Sequence, residues 1–254
     1  MQIKVTVSEM CDSIRAVFFD LDETLLDDDR CMRVAVAQTS KRLAERYPQI
    51  DPEQLSTTYL CIANEWWNDS GSVPRASTSG TSDGRAIRAE VWGKSLVACG
   101  LVAQRIAIEA ADIYSEERKA TYCLFPEVDE VLNTLHKAFV LGVITNGPDT
   151  QREKIDTTSL AGYMDVVIIS GEVGVGKPEP EIFTKALTSV QVSPREAIYV
   201  GDSLTWDIAG AKIAGLYSIW INRRRVSRPH NVAKPDTEIT TLRDLISILV
   251  LNRD

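Results

Sequence analysis

"AVFFDLDETLLDDD" (16–29) opens with four apolar residues and runs into acid. Asp20, Asp22 and Glu23 close the apolar run, and Asp27, Asp28 and Asp29 follow. A short apolar run bounded this way reads as a strand buried on both faces, as in a parallel sheet. Carboxylates gathered at its end repel one another unless a cation sits among them. The fold and the chemistry both turn on whether other strands end in a similar way.

They do. Apolar runs recur at 140–144, 166–169, 197–200 and 217–221. The first of these ends in Thr145, Asn146 and Gly147. The next is followed, across "SGEVGVG", by Lys177. The run at 197–200 ends in Gly201, Asp202 and Ser203, with Asp207 shortly after. Helical patterns lie between the later runs. One covers 128–138, one covers 180–190 behind a proline and acids, and one covers 204–214 with Gly215 as its C-cap. The alternation predicts right-handed βαβ units and a doubly wound α/β sheet, a Rossmann-like three-layer sandwich. Ligands of open parallel sheets bind beyond the carboxyl ends of the strands. Asp20, Asp202, Thr145 and Lys177 should therefore meet at one edge. Asp20 and Asp202, on neighbouring tips, would make a hard oxygen site of the kind Mg²⁺ takes while sharing its remaining positions with water and phosphate.

One interval breaks the rhythm. Between 29 and 121 there is no convincing strand, but helical stretches at 31–47, 52–68, 85–99 and 102–122. This reads as an all-helical cap (29–121) inserted after the first strand of a core made from 1–28 and 122–254. The Gly/Ser-rich segment 70–84 would be a loop inside the cap, and the hinges should fall near 26–30 and 119–126.

The chain has 254 residues and a net charge of −8, which argues against nucleic acid or an anionic membrane as a partner. A small anionic substrate stays compatible if a metal ion supplies local positive charge. Five widely spaced cysteines without a CxxC fit reduced thiols rather than disulfides or a zinc site. The segment "MQIKVTVSEMCDS" lacks the apolar core of a signal peptide, and no apolar run approaches the roughly 20 residues of a membrane helix. A soluble cytoplasmic protein, monomeric or weakly dimeric, is expected.

"DLDET" (20–24), "VITNG" (143–147), "GKPEPEIF" (176–183) and "GDSLTWDIAGA" (201–211) resemble, in order, the four motifs of the haloacid dehalogenase-like (HAD) hydrolases. The insert resembles that family's type C1 cap. The resemblance implies a phosphatase acting on a small phosphorylated metabolite. In it Asp20 would be the nucleophile that forms an aspartyl-phosphate. Asp22 would be the acid for the leaving oxygen and then the base for water. Thr145 and the adjacent backbone N–H of Asn146 would hold phosphoryl oxygens. Lys177 would balance the charge. Mg²⁺ would be bound by Asp20, the Asp22 carbonyl and Asp202, with Asp207 acting from behind or through water. Family members that release halide lack an acid at the Asp22 place, so Asp22 favours the phosphatase branch.

"TNGPDTQREKI" (145–155), "ISGEVGVGKPEPEIF" (169–183) and "GLYSIWIN" (215–222) look like the N-acylneuraminate-9-phosphatase and pyrimidine 5′-nucleotidase groups of the family. "IRAEVW" (87–92) is similar to a cap stretch of the former. Through that likeness Arg88 would meet a substrate carboxylate or phosphate; read alone, it is as well explained by a surface ion pair. The substrate readings are a sugar-acid phosphate such as N-acylneuraminate 9-phosphate, or a nucleoside monophosphate or broad set of small phosphates. A 2-haloacid dehalogenase and a catalytically silent binding protein are the rivals.

Other features have plainer readings. Asp27–Asp29 reads as a solvated hinge turn or helix N-cap. Trp66, Trp67 and Trp92 read as cap core rather than a stacking platform. His136 reads as structural. The stretch 222–236, with His230, reads as a solvated basic loop, and the cysteines as small buried hydrophobes.

Overall fold

The structure, a computed structural model, describes residues 13–70, 84–101 and 104–250. Nearly all of the 70–84 segment lies outside them, as do the side chains of Trp66 and Trp67. The chain forms two compact units. One comprises Met1–Leu26, Leu124–Asn146 and Ser159–Asp254, and the other Asp27–Cys123 and Gly147–Thr158.

The first unit is built on a six-stranded sheet. Its strands are β1 (Ala16–Phe19), β2 (Val140–Thr145), β3 (Val166–Ile169), β4 (Ala197–Gly201), β5 (Tyr217–Ile221) and β6 (Thr237–Ile239). All pairings are parallel, in the order β3-β2-β1-β4-β5-β6. That is the doubly wound order, and the direction of winding reverses between β1 and β4. Both faces of the strands are covered. Ala16 and Phe18 join Ile144, Tyr199, Ile182 and Phe183 in one core cluster. Their alternates Val17, Phe19, Val143 and Val200 point the other way and are equally buried. This explains why the strands read as unbroken apolar runs. The helices of this unit are α5 (Val128–Leu135), α7 (Ser170–Val173), α8 (Pro180–Ser189), α9 (Ala209–Ala214) and α10 (Asp244–Leu249).

Gly142 sits mid-strand because its neighbours leave no room. A Cβ there would lie 2.6 Å from Val166 Cγ1 and 2.8 Å from Phe18 Cδ1. Gly142→Ala is expected to destabilise the sheet by about 1–3 kcal/mol, read as a lowered urea midpoint at unchanged slope. A midpoint equal to wild type would show that β1 and β3 give way freely.

The second unit is helical: α1 (Asp28–Arg46), α2 (Pro52–Ser70), α3 (Gly84–Ala98), α4 (Gln104–Thr121) and α6 (Thr150–Thr157). α1 packs on α2 and α4, and α3 packs on α2 and α4. Ala107, Ala110 and Ala111 let α4 approach its neighbours closely, and Leu43, Leu55, Leu96 and Trp92 fill the centre. Trp92 is fully buried, with Tyr59 4.2 Å and Tyr114 5.8 Å away between ring centroids. It is therefore core, as its sequence context suggested. The segment 147–158, assigned to the core by the sequence reading, packs with this helical unit instead. A Lys154–Asp28 ion pair of 2.9 Å is one of its ties. Asp28 is thus not a solvated turn residue, although it does open α1.

Two further expectations need correction. Of the described cysteines only Cys31 is buried, Cys61 is exposed, and Cys31 Sγ lies 3.2 Å from Cys123 Sγ. The basic loop is not wholly solvated. Arg223 donates to the Thr24 carbonyl (2.7 Å) and the Glu127 carboxylate (2.7 Å), and its guanidinium lies 3.6 Å from the Phe125 ring centroid. Arg223 lies two residues beyond the end of β5, where it braces the turn after β1. His136 is exposed and meets the Tyr163 ring edge-on at 6.2 Å.

Candidate active site

The reversal between β1 and β4 opens a crevice at their carboxyl ends, and the acid cluster lies there. Asp20 follows β1 and its backbone N–H donates to the Val200 carbonyl of β4 (2.9 Å). The chain then folds into a tight turn. Leu25 and Leu26 N–H both return to the Leu21 carbonyl (2.9 Å each), and Glu23 N–H donates to Leu26 (2.8 Å). Glu23 takes a left-handed φ of 59° to permit this, a conformation that costs a non-glycine residue about 1 kcal/mol or more. The turn fixes Asp22 two residues beyond Asp20.

Lys177 is the centre of the site. It is 3% exposed, and all three ammonium protons have acceptors. Nζ donates to Asp20 Oδ1 (2.6 Å), Asp207 Oδ1 (2.6 Å) and the Tyr199 hydroxyl (3.0 Å). Burial alone would lower its pKa, but Asp20 and Asp207 outweigh that and raise it, so the ammonium stays charged. Tyr199 passes its own proton to the Ile144 carbonyl (2.9 Å), which links β4 to β2.

The Asn146 side chain is committed to Lys177. Nδ2 donates to the Lys177 carbonyl (2.9 Å), while Oδ1 accepts from the Lys177 backbone N–H (2.7 Å). The amide is a clamp that positions Lys177. Its backbone N–H and the buried Thr145 remain at the tip of β2. Asp207 is held from two sides, by Lys177 and by the Ser203 backbone N–H at 2.8 Å. Ser203, not Asp202, caps the following turn by accepting from Trp206 N–H at 3.2 Å. That turn is a π-helix over Leu204–Ile208, and only Ala209–Ala214 is α-helical. Asp202 is pinned through its carbonyl, which accepts from Trp220 Nε1 (2.8 Å).

The electrostatics show a deficit of positive charge. Asp20, Asp202 and Asp207 each offer an oxygen within 4.8 Å of the others, and among the described residues the cation paired with them is Lys177. Burial pushes Asp20 up to about 7, with Asp207 and Asp22 adding to it and Lys177 opposing. Asp202 is raised well above the usual carboxylate range by burial and by Asp207 and Asp20. A divalent cation among these oxygens would remove that penalty. The donor set is all hard oxygen, as Mg²⁺ requires. Both Asp207 oxygens are already used, so Asp20 and Asp202 are the carboxylates left to hold an ion.

Gly201 makes the arrangement possible. A Cβ there would lie 2.4 Å from Asp207 Cγ. Gly201→Ala should displace Asp207 and, with it, the Lys177 ammonium, lowering kcat by roughly 10²-fold, the cost of about a 1 Å misplacement. Steady-state kinetics beside a melting curve would check this. Full activity in the variant would show that Asp207 does not set the position of Lys177.

Among the sequence candidates, Asp20, Lys177, Asp202 and Asp207 converge, Asn146 clamps one of them, Thr145 ends β2, and Asp22 lies just beyond β1. Tyr199 and Gly201 were missed as site residues. The one available signal was a tyrosine hydroxyl in an otherwise apolar strand. Arg88 belongs to the helical unit. It donates to Ser115 Oγ (2.8 Å) and lies 5.5 Å from the Tyr114 ring centroid, and among the described residues it has no ion pair of the kind expected.

Known proteins share this pattern. Residues 14–215 match the family model described as haloacid dehalogenase-like hydrolase. A phosphoserine phosphatase from Thermus thermophilus is 38% identical over 62% of this chain and 63% of its own length. The human N-acylneuraminate-9-phosphatase is 28% identical over 93% of this chain and 94% of its own. A 2-haloacid dehalogenase structure from Pseudomonas syringae superposes with a TM-score of 0.67 at 31% identity, over 94% of this chain and 99% of that one. The chain therefore belongs to the haloacid dehalogenase-like hydrolase family.

Proposed function

We propose that the chain is a Mg²⁺-dependent phosphomonoester hydrolase acting on a small phosphorylated metabolite through an aspartyl-phosphate on Asp20. The observation that carries this reading is the 2.6 Å bond from Lys177 to Asp20 Oδ1, which holds one carboxylate oxygen and turns the nucleophile toward the crevice shared with Asp202. In the first step Asp20 forms a bond to phosphorus as the bond to the leaving oxygen breaks. Asp22 gives that oxygen its proton. In the second step Asp22 takes a proton from water, the water oxygen bonds to phosphorus, and inorganic phosphate leaves Asp20 regenerated. Lys177 and the tip of β2 (Thr145 with the Asn146 N–H) offset the negative charge of the phosphoryl group. Mg²⁺ held by Asp20 and Asp202 would supply further charge neutralisation for the phosphate.

Asp22 supports phosphate over halide, because an alkoxide needs a proton to leave and a halide does not. The phosphatase names of two of the relatives agree with that, and the dehalogenase structure is the contrary relative. The helical unit would be the cap that selects the leaving group. The names phosphoserine and N-acylneuraminate 9-phosphate both denote phosphomonoesters with a carboxylate. A nucleoside monophosphate is the other substrate class, requiring an aromatic stacking face; the described aromatic cluster around Trp92 is closed core.

The test is phosphate release from p-nitrophenyl phosphate, sugar phosphates, phosphoserine, N-acetylneuraminate 9-phosphate and nucleoside monophosphates, with Mg²⁺ and after chelation, beside chloride release from 2-chloropropionate. Magnesium-dependent phosphate release is expected. Chloride release without phosphate release would make the protein a dehalogenase.

A further inference from the structure

The turn after β1 is held by a residue that stands outside the reacting groups. Asp22 is bridged to Leu26, and Leu26 is bridged in turn to Leu124. Between Asp22 and Leu26 the chain passes through Glu23, whose φ of 59° is left-handed. A strained residue of this kind persists only where its surroundings over-determine it. Arg223 supplies much of that constraint. Its Nε donates to the Glu23 carbonyl (3.3 Å) and its Nη2 to the Thr24 carbonyl (2.7 Å). Thr24 is fully buried and its hydroxyl has no partner among the described residues, so its carbonyl is a polar anchor of the turn.

The guanidinium is itself fixed on its other sides. Nη1 donates to Glu127 Oε1 (2.7 Å), and the group lies 3.6 Å from the Phe125 ring centroid. Glu127 immediately precedes α5 and is 5% exposed. Its Oε1 also accepts from the Thr241 hydroxyl (3.4 Å) and the Leu242 N–H (3.5 Å), just ahead of α10. Burial works against ionising Glu127, but the bond from Arg223, with backbone donors beside it, holds its carboxyl below the usual range. A buried ion pair is a weak device for stability alone; this one fixes a geometry. Three arms of one planar fork meet acceptors on two sides while the ring covers a face, an arrangement an ammonium cannot copy. Asp22, Glu23, Thr24, Phe125, Glu127 and Arg223 all belong to the sheet unit.

We propose that Arg223 is a positioning residue for the general acid: by holding the Glu23 and Thr24 carbonyls it fixes the turn that sets Asp22 against the leaving oxygen. The role of Asp22 rests on the phosphatase reading; the hold on the turn does not. A general acid must stay within hydrogen-bond reach of the oxygen it serves. A loosened turn therefore slows the step that needs the proton. It does little to the attack by Asp20, whose own backbone is tied to Val200 (2.9 Å).

Arg223→Lys keeps the charge beside Glu127 and loses the fork. It should lower kcat/KM for a sugar phosphate by about tenfold to a hundredfold, the upper end being the cost of about a 1 Å misplacement. Turnover of p-nitrophenyl phosphate should stay within about threefold, because its leaving group needs little protonation. In an Asp22→Asn background the same change should cost less than about threefold with either ester, since the brace then has no acid to position. A purely structural Arg223 would lower the melting temperature and slow both esters alike. Equal losses for the two esters, or losses that add in the double variant, overturn the positioning role and leave the phosphatase reading standing. Hydrogen exchange followed by mass spectrometry reads the hold on the turn without turnover. Amides of 20–26 should exchange about tenfold faster or more in Arg223→Lys, with those of β2 and β4 unchanged. If wild type hydrolyses no ester, the phosphatase reading falls and exchange decides the brace alone. Faster exchange over 20–26 then supports it, and equal rates overturn it. Should Arg223→Lys fail to fold, Glu127→Gln keeps an acceptor for Nη1 but removes its charge. The same differences are expected there at about threefold to tenfold, and their absence overturns the proposal.

Discussion

Asp20→Asn lowers turnover of every phosphate ester by on the order of 10⁴-fold or more, while the melting temperature stays at or above that of wild type. The kinetic half follows from nucleophilic catalysis: an amide does not attack phosphorus, and removing a nucleophile from a catalytic group that acts as a unit costs nearly the whole of its contribution. The stability half follows from the charge balance. The asparagine carbonyl still accepts from Lys177 where Asp20 Oδ1 does at 2.6 Å, and the backbone bond to Val200 is untouched. What disappears is one of the buried carboxylates that repel each other, the repulsion and burial that push Asp20 up to about 7. Paired kinetics and thermal melts check both halves. Activity within tenfold of wild type would remove Asp20 as nucleophile.

The second large effect separates leaving groups. Asp22→Asn should slow hydrolysis of alkyl phosphates by about 10²–10⁴-fold, the usual worth of a positioned general acid. Loss with p-nitrophenyl phosphate should be much smaller, because a nitrophenolate departs with little protonation. The turn that returns Leu25 and Leu26 to the Leu21 carbonyl does not involve the Asp22 side chain, so its geometry should survive. The readout is the ratio of kcat/KM values for a sugar phosphate and p-nitrophenyl phosphate in wild type and variant. An unchanged ratio would show that Asp22 does not protonate the leaving oxygen.

The parallel sheet was legible because its strands are buried on both faces, and such strands are written as plain apolar runs. Five of the six strands stand out this way. β6 did not, because its three residues (Thr237–Ile239) include an exposed glutamate, as befits an edge. The helices of the insert were legible from the absence of strands and from helical spacing. The placement of 147–158 was not. One of its ties to the helical unit is an ion pair between residues 126 positions apart, Asp28 and Lys154, and pairings at that separation leave no local pattern.

The candidate site divides in the same way. Asp20, Asp202 and Lys177 were visible because strand ends are where an open sheet gathers its ligands. Tyr199 was hidden in an apolar strand, and only the fold shows its hydroxyl completing the Lys177 ammonium. Asn146 was read as a phosphate contact through its backbone N–H; that its side chain clamps the Lys177 backbone is visible only in the fold.

The central claim is the covalent intermediate on Asp20. The most direct test is to quench wild-type protein in acid during turnover of a phosphate ester in the presence of Mg²⁺, and to map the phosphorylated peptide by mass spectrometry. The predicted result is a hydroxylamine-labile phosphoryl group on the peptide carrying Asp20, absent from Asp20→Asn. Turnover with no phosphorylated peptide in the quench, or a phosphoryl group on any other residue, would contradict it.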